Sequence, residues 1–108
     1  MTDDLDIVWK ALSDPTRRAI LDLLRRGPRA TTEIVEAFPA MTRHAVMKHI
    51  EGLREAGLVH TREEGRRRIN SINAVPIRRI YERWMGPFAE LWSSALLRIK
   101  EDVEKKES

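Results

Sequence analysis

The sequence predicts a mainly α-helical chain carrying one small β-hairpin, and three observations between Thr31 and Arg68 predict it. A short helical pattern breaks at Pro39, because proline pushes the residue before it out of helical geometry. A longer pattern starts at Thr42 and stops at Gly57. A polar hairpin follows, with Arg66, Arg67 and Arg68 near its tip. That order is a helix-turn-helix (31–56) followed by a wing (58–73). The expected whole is a single winged helix-turn-helix domain over 1–108, with five or six helices, a two-stranded wing, and a dimeric state.

Each element has its own signal. Leu5, Val8, Trp9 and Leu12 recur at helical spacing, with Asp3 or Asp4 as cap. Ser13 and Asp14 interrupt, and Pro15 sits where a first helical residue tolerates proline. Ile20, Leu23 and Leu24 make the inner face of the second helix, with Leu21 at its flank. Arg25 and Arg26 suit its C-terminal dipole, and Gly27-Pro28 ends it. The third helix opens near Thr31 or Thr32 and turns Ile34, Val35 and Phe38 inward.

Thr42 caps the fourth helix. Val46, His49, Ile50, Leu53 and Ala56 share its inner side; His44, Met47, Lys48 and Glu51 share the opposite one. Leu58-Val59 leads into a strand, Glu64-Gly65-Arg66 turns, and Arg68 to Asn73 returns. A two-stranded hairpin is marginal alone, so it must lean on the helices. Pro76 opens a helix through Ile77, Ile80, Tyr81 and Trp84, which Gly86-Pro87 must kink or break. Phe88, Leu91, Trp92, Ala95, Leu96, Ile99 and Val103 then trace one broad apolar stripe, and Glu104 to Ser108 are expected to fray.

Composition bounds the function. A length of 108 residues suits one domain with a modest core. Net charge is +3 with a pI near 9.7, mildly basic and not decisive alone. Its distribution says more: Arg43, Lys48, Arg54, Arg62, Arg66, Arg67, Arg68 and all three histidines fall between Thr42 and Arg68, against four acids. A charged run is ordinarily a solvated face. Concentration on the two elements shaped to enter DNA grooves argues for a duplex contact instead.

The absence of cysteine excludes disulfides, Fe–S clusters, thiolate metal sites and thiol switches. The acidic start (Thr2, Asp3, Asp4, Asp6) does not read as a signal peptide, and no apolar run approaches the roughly 18 residues of a membrane span. A soluble, cytoplasmic protein without membrane partner is expected. No phosphate-cradling glycine loop or Ser/His/Asp set is evident, and Glu63-Glu64 on an exposed hairpin suits solvation better than acid–base chemistry. The chain reads as a non-enzyme without cofactor.

Candidate DNA contacts follow from residue chemistry. Thr42 and Arg43 open the fourth helix. Arg43 can read guanine through two parallel bonds, His44 sits in the first exposed turn, and Lys48 suits a phosphate. Arg17 and Arg18 start the second helix, whose amides could also face phosphate; an ion pair is the equal alternative for Arg18. In the wing, Arg62 joins Arg66, Arg67 and Arg68; at most two of the last three can touch DNA on each subunit, since neighbouring strand residues alternate faces. His49 is read as packing at the helix flank rather than as a ligand.

Three motifs carry a family resemblance: Trp9-Lys10-Ala11-Leu12-Ser13-Asp14-Pro15-Thr16-Arg17-Arg18 running into Ala19-Ile20-Leu21; Val46 through Val59; and Arg62 through Arg68. Together they resemble the ArsR/SmtB family of dimeric winged-helix repressors. The resemblance implies a homodimer joined through first and last helices (1–12 and 76–104) and repression of its own operon from a palindromic operator. Met47 departs from the serine of many relatives and offers a thymine methyl an apolar contact.

The stripe width points the same way, exceeding what four short helices cover. Leu5, Val8, Trp9, Trp84, Phe88, Leu91, Trp92, Ala95, Leu96, Ile99 and Val103 are the expected dimerisation residues. The best-known relatives sense metals through third-helix cysteines or last-helix Asp and His ligands. Here residues 32–38 contain no cysteine and Ala74 onward no histidine, so no metal site of either type is expected. Trp84, Met85, Phe88 and Trp92 have two readings, packed core or a pocket for a small-molecule effector. A protein effector, or a protein-binding role for the whole fold, stays open.

Overall fold

The computed structural model describes residues 4–107, with side chains for all of these except 86–92 and 107. Two compact units make up the chain, Met1–Ile77 and Arg78–Ser108. In chain order the elements are α1 (Asp6–Leu12), α2 (Pro15–Leu24), β1 (Arg29–Ala30), α3 (Thr31–Ala37), α4 (Arg43–Glu55), β2 (Val59–Glu64), β3 (Arg67–Ile72), α5 (Val75–Trp84) and α6 (Gly86–Glu107). The expected mainly α winged architecture is present.

Apolar side chains at helical period build the first unit. Ile20 and Leu24 of α2, Ile34 of α3, Val46 and Leu53 of α4, and Leu58 after it are all fully buried. Each such side chain contributes about 1.5–3 kcal/mol on leaving water. α4 is the hub, packing against α1, α2, α3 and β2. Leu21 rather than Leu23 completes the inner face of α2, and Leu23 is half-buried. Among the residues expected inward on α3, only Ile34 is buried; Val35 and Phe38 are half-buried. On α1 the buried face is Leu5, Val8 and Ala11, whereas Trp9 lies at its flank, 48% exposed.

Helix ends follow local chemistry. No side chain caps α1, whose N-cap is Leu5; Asp4 does not take the expected role and Asp3 lies outside the described residues. Asp14 caps α2, its carboxylate accepting N–H bonds from Thr16 at 2.8 Å and Arg17 at 3.1 Å, with Pro15 as first helical residue. Those two amides are thus already occupied by a carboxylate, which corrects the expectation that they face phosphate. Arg18 is also structural: its guanidinium donates to the Leu12 carbonyl at 2.7 Å, closing the end of α1. Phe38, before Pro39, leaves the helical region at φ −125°, ψ 65°, and α3 ends there. Thr42 caps α4, accepting from the Ala45 N–H at 3.1 Å, and Gly57 follows at φ +74°, a conformation that favours glycine.

The sheet has three strands where two were expected, in the order β1-β3-β2, all antiparallel. β1 pairs Arg29 with Asn70 and Ala30 with Ile69, which makes β3 a central strand rather than an edge. β2 and β3 are joined by a two-residue loop, Gly65-Arg66, with Glu64 opposite Arg67. Gly65 alone has positive φ there, +63°, as the first position of a type II′ turn requires. β3 begins at Arg67, one residue earlier than expected. Asn73 lies beyond the strand: its amide donates to the Gly57 carbonyl at 2.8 Å and its oxygen accepts from the Val75 N–H at 3.2 Å, joining the end of α4 to the start of α5.

In the second unit the break at Gly86-Pro87 becomes a fresh helix start, with Pro87 in the first turn, where a missing N–H costs nothing. α6 runs on to Glu107, through residues expected to fray. Leu96, Leu97, Ile99 and Val103 are more than half exposed on it, and Tyr81, Trp84 and Met85 stay about half exposed. Phe88, Leu91 and Trp92 lie outside the described side chains, so the expected stripe is seen only from Ala95 onward, and the candidate Trp84–Trp92 pocket falls outside as well.

The Asp14 carboxyl is held below its ordinary value of 3.8, chiefly by the Arg17 backbone N–H, with burial opposing and His49 assisting. A lowered folded-state pKa means this contribution is present above the unfolded value and is lost as pH falls through and below it. Asp14→Ala is expected to cost about 1 kcal/mol in urea unfolding at neutral pH, while Asp14→Asn keeps most of the cap and removes its share of the acid sensitivity.

Candidate nucleic-acid interface

Burial of Val46, Ile50 and Leu53 sets which side of α4 faces out. The outward residues are Arg43, His44, Met47, Lys48, Glu51 and Arg54, all exposed. Met47, Glu51 and Arg54 fall at i, i+4 and i+7 and form one ridge. Glu51 and Arg54 are bonded at 3.0 Å, an exposed pair of little energetic weight.

β3 brings the wing beside that ridge. One cleft is lined by Arg43 and Met47 from α4, Arg66, Arg67 and Arg68 from the wing, and residues 30–32 at the start of α3. A second, contiguous cleft carries Met47, Ile50, Glu51 and Arg54 on one wall and Thr61, Arg68 and Asn70 on the other. Four arginines and an apolar Met47 side chain therefore converge where the fourth helix meets the hairpin. Guanidinium groups suit phosphate and guanine edges, and a thioether suits a thymine methyl group.

Other expected residues sit elsewhere on the same side or are otherwise engaged. Thr42 is exposed, with its hydroxyl committed to the α4 cap. His44 and Lys48 are exposed on α4 but do not line these clefts. Arg62 lies on the outer strand β2, paired with Glu64 at 3.3 Å, and is not among the lining residues either. Arg67 is held at 2.6 Å by Glu33 of α3, whose same carboxylate oxygen also accepts the Ala30 N–H at 3.4 Å.

Two features had escaped the sequence reading. Asn70 is fully buried in β3, although nothing in Arg68-Ile69-Asn70-Ser71-Ile72 distinguishes it from a solvent-facing residue. Behind α4, the Arg17 guanidinium lies across Gly52, where a Cβ would meet it at 2.8 Å. His49 is packed at the same junction, its Nδ1 3.8 Å from the Asp14 carboxylate, which agrees with a flank role. Buried Nε of Arg17 and Nδ1 of His49 make no hydrogen bond within the described residues.

A helix rotated by its core to present a polar ridge, beside a hairpin with an arginine tip, defines a winged helix-turn-helix DNA-binding protein. Comparison with known proteins agrees. A model described as a helix-turn-helix domain matches residues 12–62. The transcriptional repressor SdpR of Bacillus subtilis is 36% identical over 66 residues, covering 61% of this chain and 72% of that protein. A crystal structure of an ArsR family transcriptional regulator aligns with TM-score 0.72 and 37% identity over 84% of this chain and 98% of that one. A homodimeric winged helix-turn-helix DNA-binding domain from Mycobacterium bovis, a possible ArsR-family regulator, aligns with TM-score 0.64 and 30% identity over 93% and 80%. The chain belongs to the ArsR family of transcriptional regulators. Among its described residues, no helix is long and apolar enough to cross a membrane.

The two faces of α4 should respond oppositely to truncation. Leu53→Ala is expected to cost about 2–5 kcal/mol, and Lys48→Ala less than about 0.5 kcal/mol, both read from urea unfolding curves. Similar costs at the two positions would mean that the helix is rotated differently.

Proposed function

We propose that two copies of this chain form a cytoplasmic repressor that occupies a palindromic operator, controls its own operon and does so without sensing metal. The observation that carries this reading is the convergence of Arg43 and Met47 with the wing arginines in one cleft. In it, α4 enters a major groove, with Arg43 on a guanine edge, Met47 near a thymine methyl, and Thr42, His44 and Lys48 completing the base and phosphate contacts. Arg62 and at most two of Arg66, Arg67 and Arg68 on each subunit supply phosphate or minor-groove contacts, Arg67 exchanging Glu33 for DNA.

Dimerisation is supported by the exposed apolar residues on α6, where Leu96, Ile99 and Val103 share a face, and by Trp9 and Trp84, each about half exposed. Ala95 is half-buried on α6; Leu5 and Val8 belong to the same proposed set, although both are buried within their own unit. Phe88, Leu91 and Trp92 extend the same proposed interface by sequence period alone. The homodimeric Mycobacterium bovis relative supports the same assembly, and SdpR, a repressor by name, supports the direction of control. The metal-free reading is supported by a sequence without cysteine. Among the described residues, no three His, Asp or Glu side chains lie close enough to hold an ion.

A gel shift with the DNA upstream of the chain's own gene tests this. The dimer should shift a duplex with half-sites about one helical turn, roughly 34 Å, apart. Arg43→Ala should relax sequence preference, and Arg67→Ala should weaken binding to every sequence and flatten its salt dependence. A confirmed dimer that shifts no duplex at low salt would favour a protein-docking role instead.

A further inference from the structure

We infer that Asn70 is a positioning residue for DNA binding: its buried amide, bonded to β1, α3 and β2 at once, fixes where the wing arginines stand beside α4. This rests on the reading that those arginines contact DNA. The Asn70 side chain is fully buried. Its oxygen accepts from the Thr61 hydroxyl of β2 at 2.7 Å. Its nitrogen donates to the Thr31 hydroxyl of α3 at 3.0 Å and to the Arg29 carbonyl of β1 at 3.3 Å. Both N–H donors and one acceptor site are therefore used, by three separate elements.

Burial of apolar area alone leaves the hairpin poorly oriented. Val59 and Ile69 are its only buried hydrophobic residues, and apolar contact is non-directional. Hydrogen bonds are directional, weakening steeply as the angle at the hydrogen closes, so the amide sets the angle at which β3 meets the start of α3. Thr31 adds a long bond to the Arg68 carbonyl, 3.5 Å. Arg68 is two residues from Asn70 and on the same face of β3, where both line the cleft opposite Met47. Any movement of β3 that follows removal of one of these bonds therefore moves the Arg68 guanidinium relative to the α4 ridge. An aliphatic side chain could fill the same buried space, but it would make none of these three directional bonds.

The test measures affinity of the full chain for a labelled duplex of arbitrary sequence across a salt series. Asn70→Leu and Thr61→Val, the latter exchanging one hydroxyl for a methyl, are compared with an Arg66→Ala/Arg68→Ala control. The inference expects both positioning variants to bind about tenfold more weakly at fixed salt, with the slope of log affinity against log salt shallower by about 0.9 for each phosphate that is no longer neutralised. A variant that is merely less stable lowers apparent affinity by one factor at all salts and leaves the slope unchanged. If the arginine control has a shallower slope while Thr61→Val and any folded Asn70→Leu keep the wild-type slope, the positioning role is wrong and the wing contact stands. A wild-type slope in the arginine control overturns the wing contact and the positioning role together. Should Asn70→Leu fail to fold, Thr61→Val carries the test.

Discussion

Rotation of α4 about its own axis is the constraint on which the remaining features depend. Val46, Ile50 and Leu53 are buried on one side; Arg43 is exposed as the first residue of the helix, and a turn of about 100° per residue leaves Met47 and Lys48 no position except the flank and the outer surface. Rotating the helix to hide any of these would expose an aliphatic side chain worth about 1.5–3 kcal/mol. Caps at both ends hold the register, through the Thr42 hydroxyl and the positive φ of Gly57. On the far side, the close fit of Gly52 under the Arg17 guanidinium and the Asp14–His49 approach seat the helix against α2. The chemistry of the outer ridge is thus a consequence of the core.

The wing is held differently. Its apolar contribution is small, and its place is defined by polar contacts to the first residues of α3: Asn70 to Thr31 and Arg67 to Glu33. α3 packs on α4, and α4 also packs directly on β2, so hairpin and ridge share one frame, to which Val59 and Ile69 add a small apolar contact. The exposed Arg67–Glu33 pair contributes little stability by itself. It keeps a strongly basic tip partly neutralised while no duplex is present, and the same guanidinium is free to exchange partners at small cost.

Much of this was legible in the sequence because it is local. Thr42, Gly57 and the Val46/Ile50/Leu53 period define α4 within a short stretch, and Pro39 marks the break before it. Gly65 marks the hairpin turn for the same reason. What escaped depends on distant partners. β1 is two residues long, Arg29-Ala30, and exists only because β3 lies beside it. Asn70 looks like a surface residue until Thr31, Thr61 and Arg29 are placed around it. The choice of Leu21 over Leu23 for the core, and the exposure of Trp9, rest on how α1 and α2 pack, which a helical period leaves ambiguous by one flank. Of the expected contact residues, Arg43, Met47, Arg66, Arg67 and Arg68 meet in one cleft, whereas Arg62 stands apart on β2. No periodicity distinguishes those two outcomes, because the difference lies in strand order.

The central claim is that duplex DNA lies against the α4 ridge and the cleft beside it, and methyl NMR of the four methionines tests it most directly. Met47 stands in the cleft, Met41 in the turn before α4, and Met85 between α5 and α6. On titration with duplex, the Met47 methyl resonance should shift and broaden while Met85 stays in place. A Met85 resonance that responds while Met47 does not would put the nucleic acid on the wrong part of the molecule for this account.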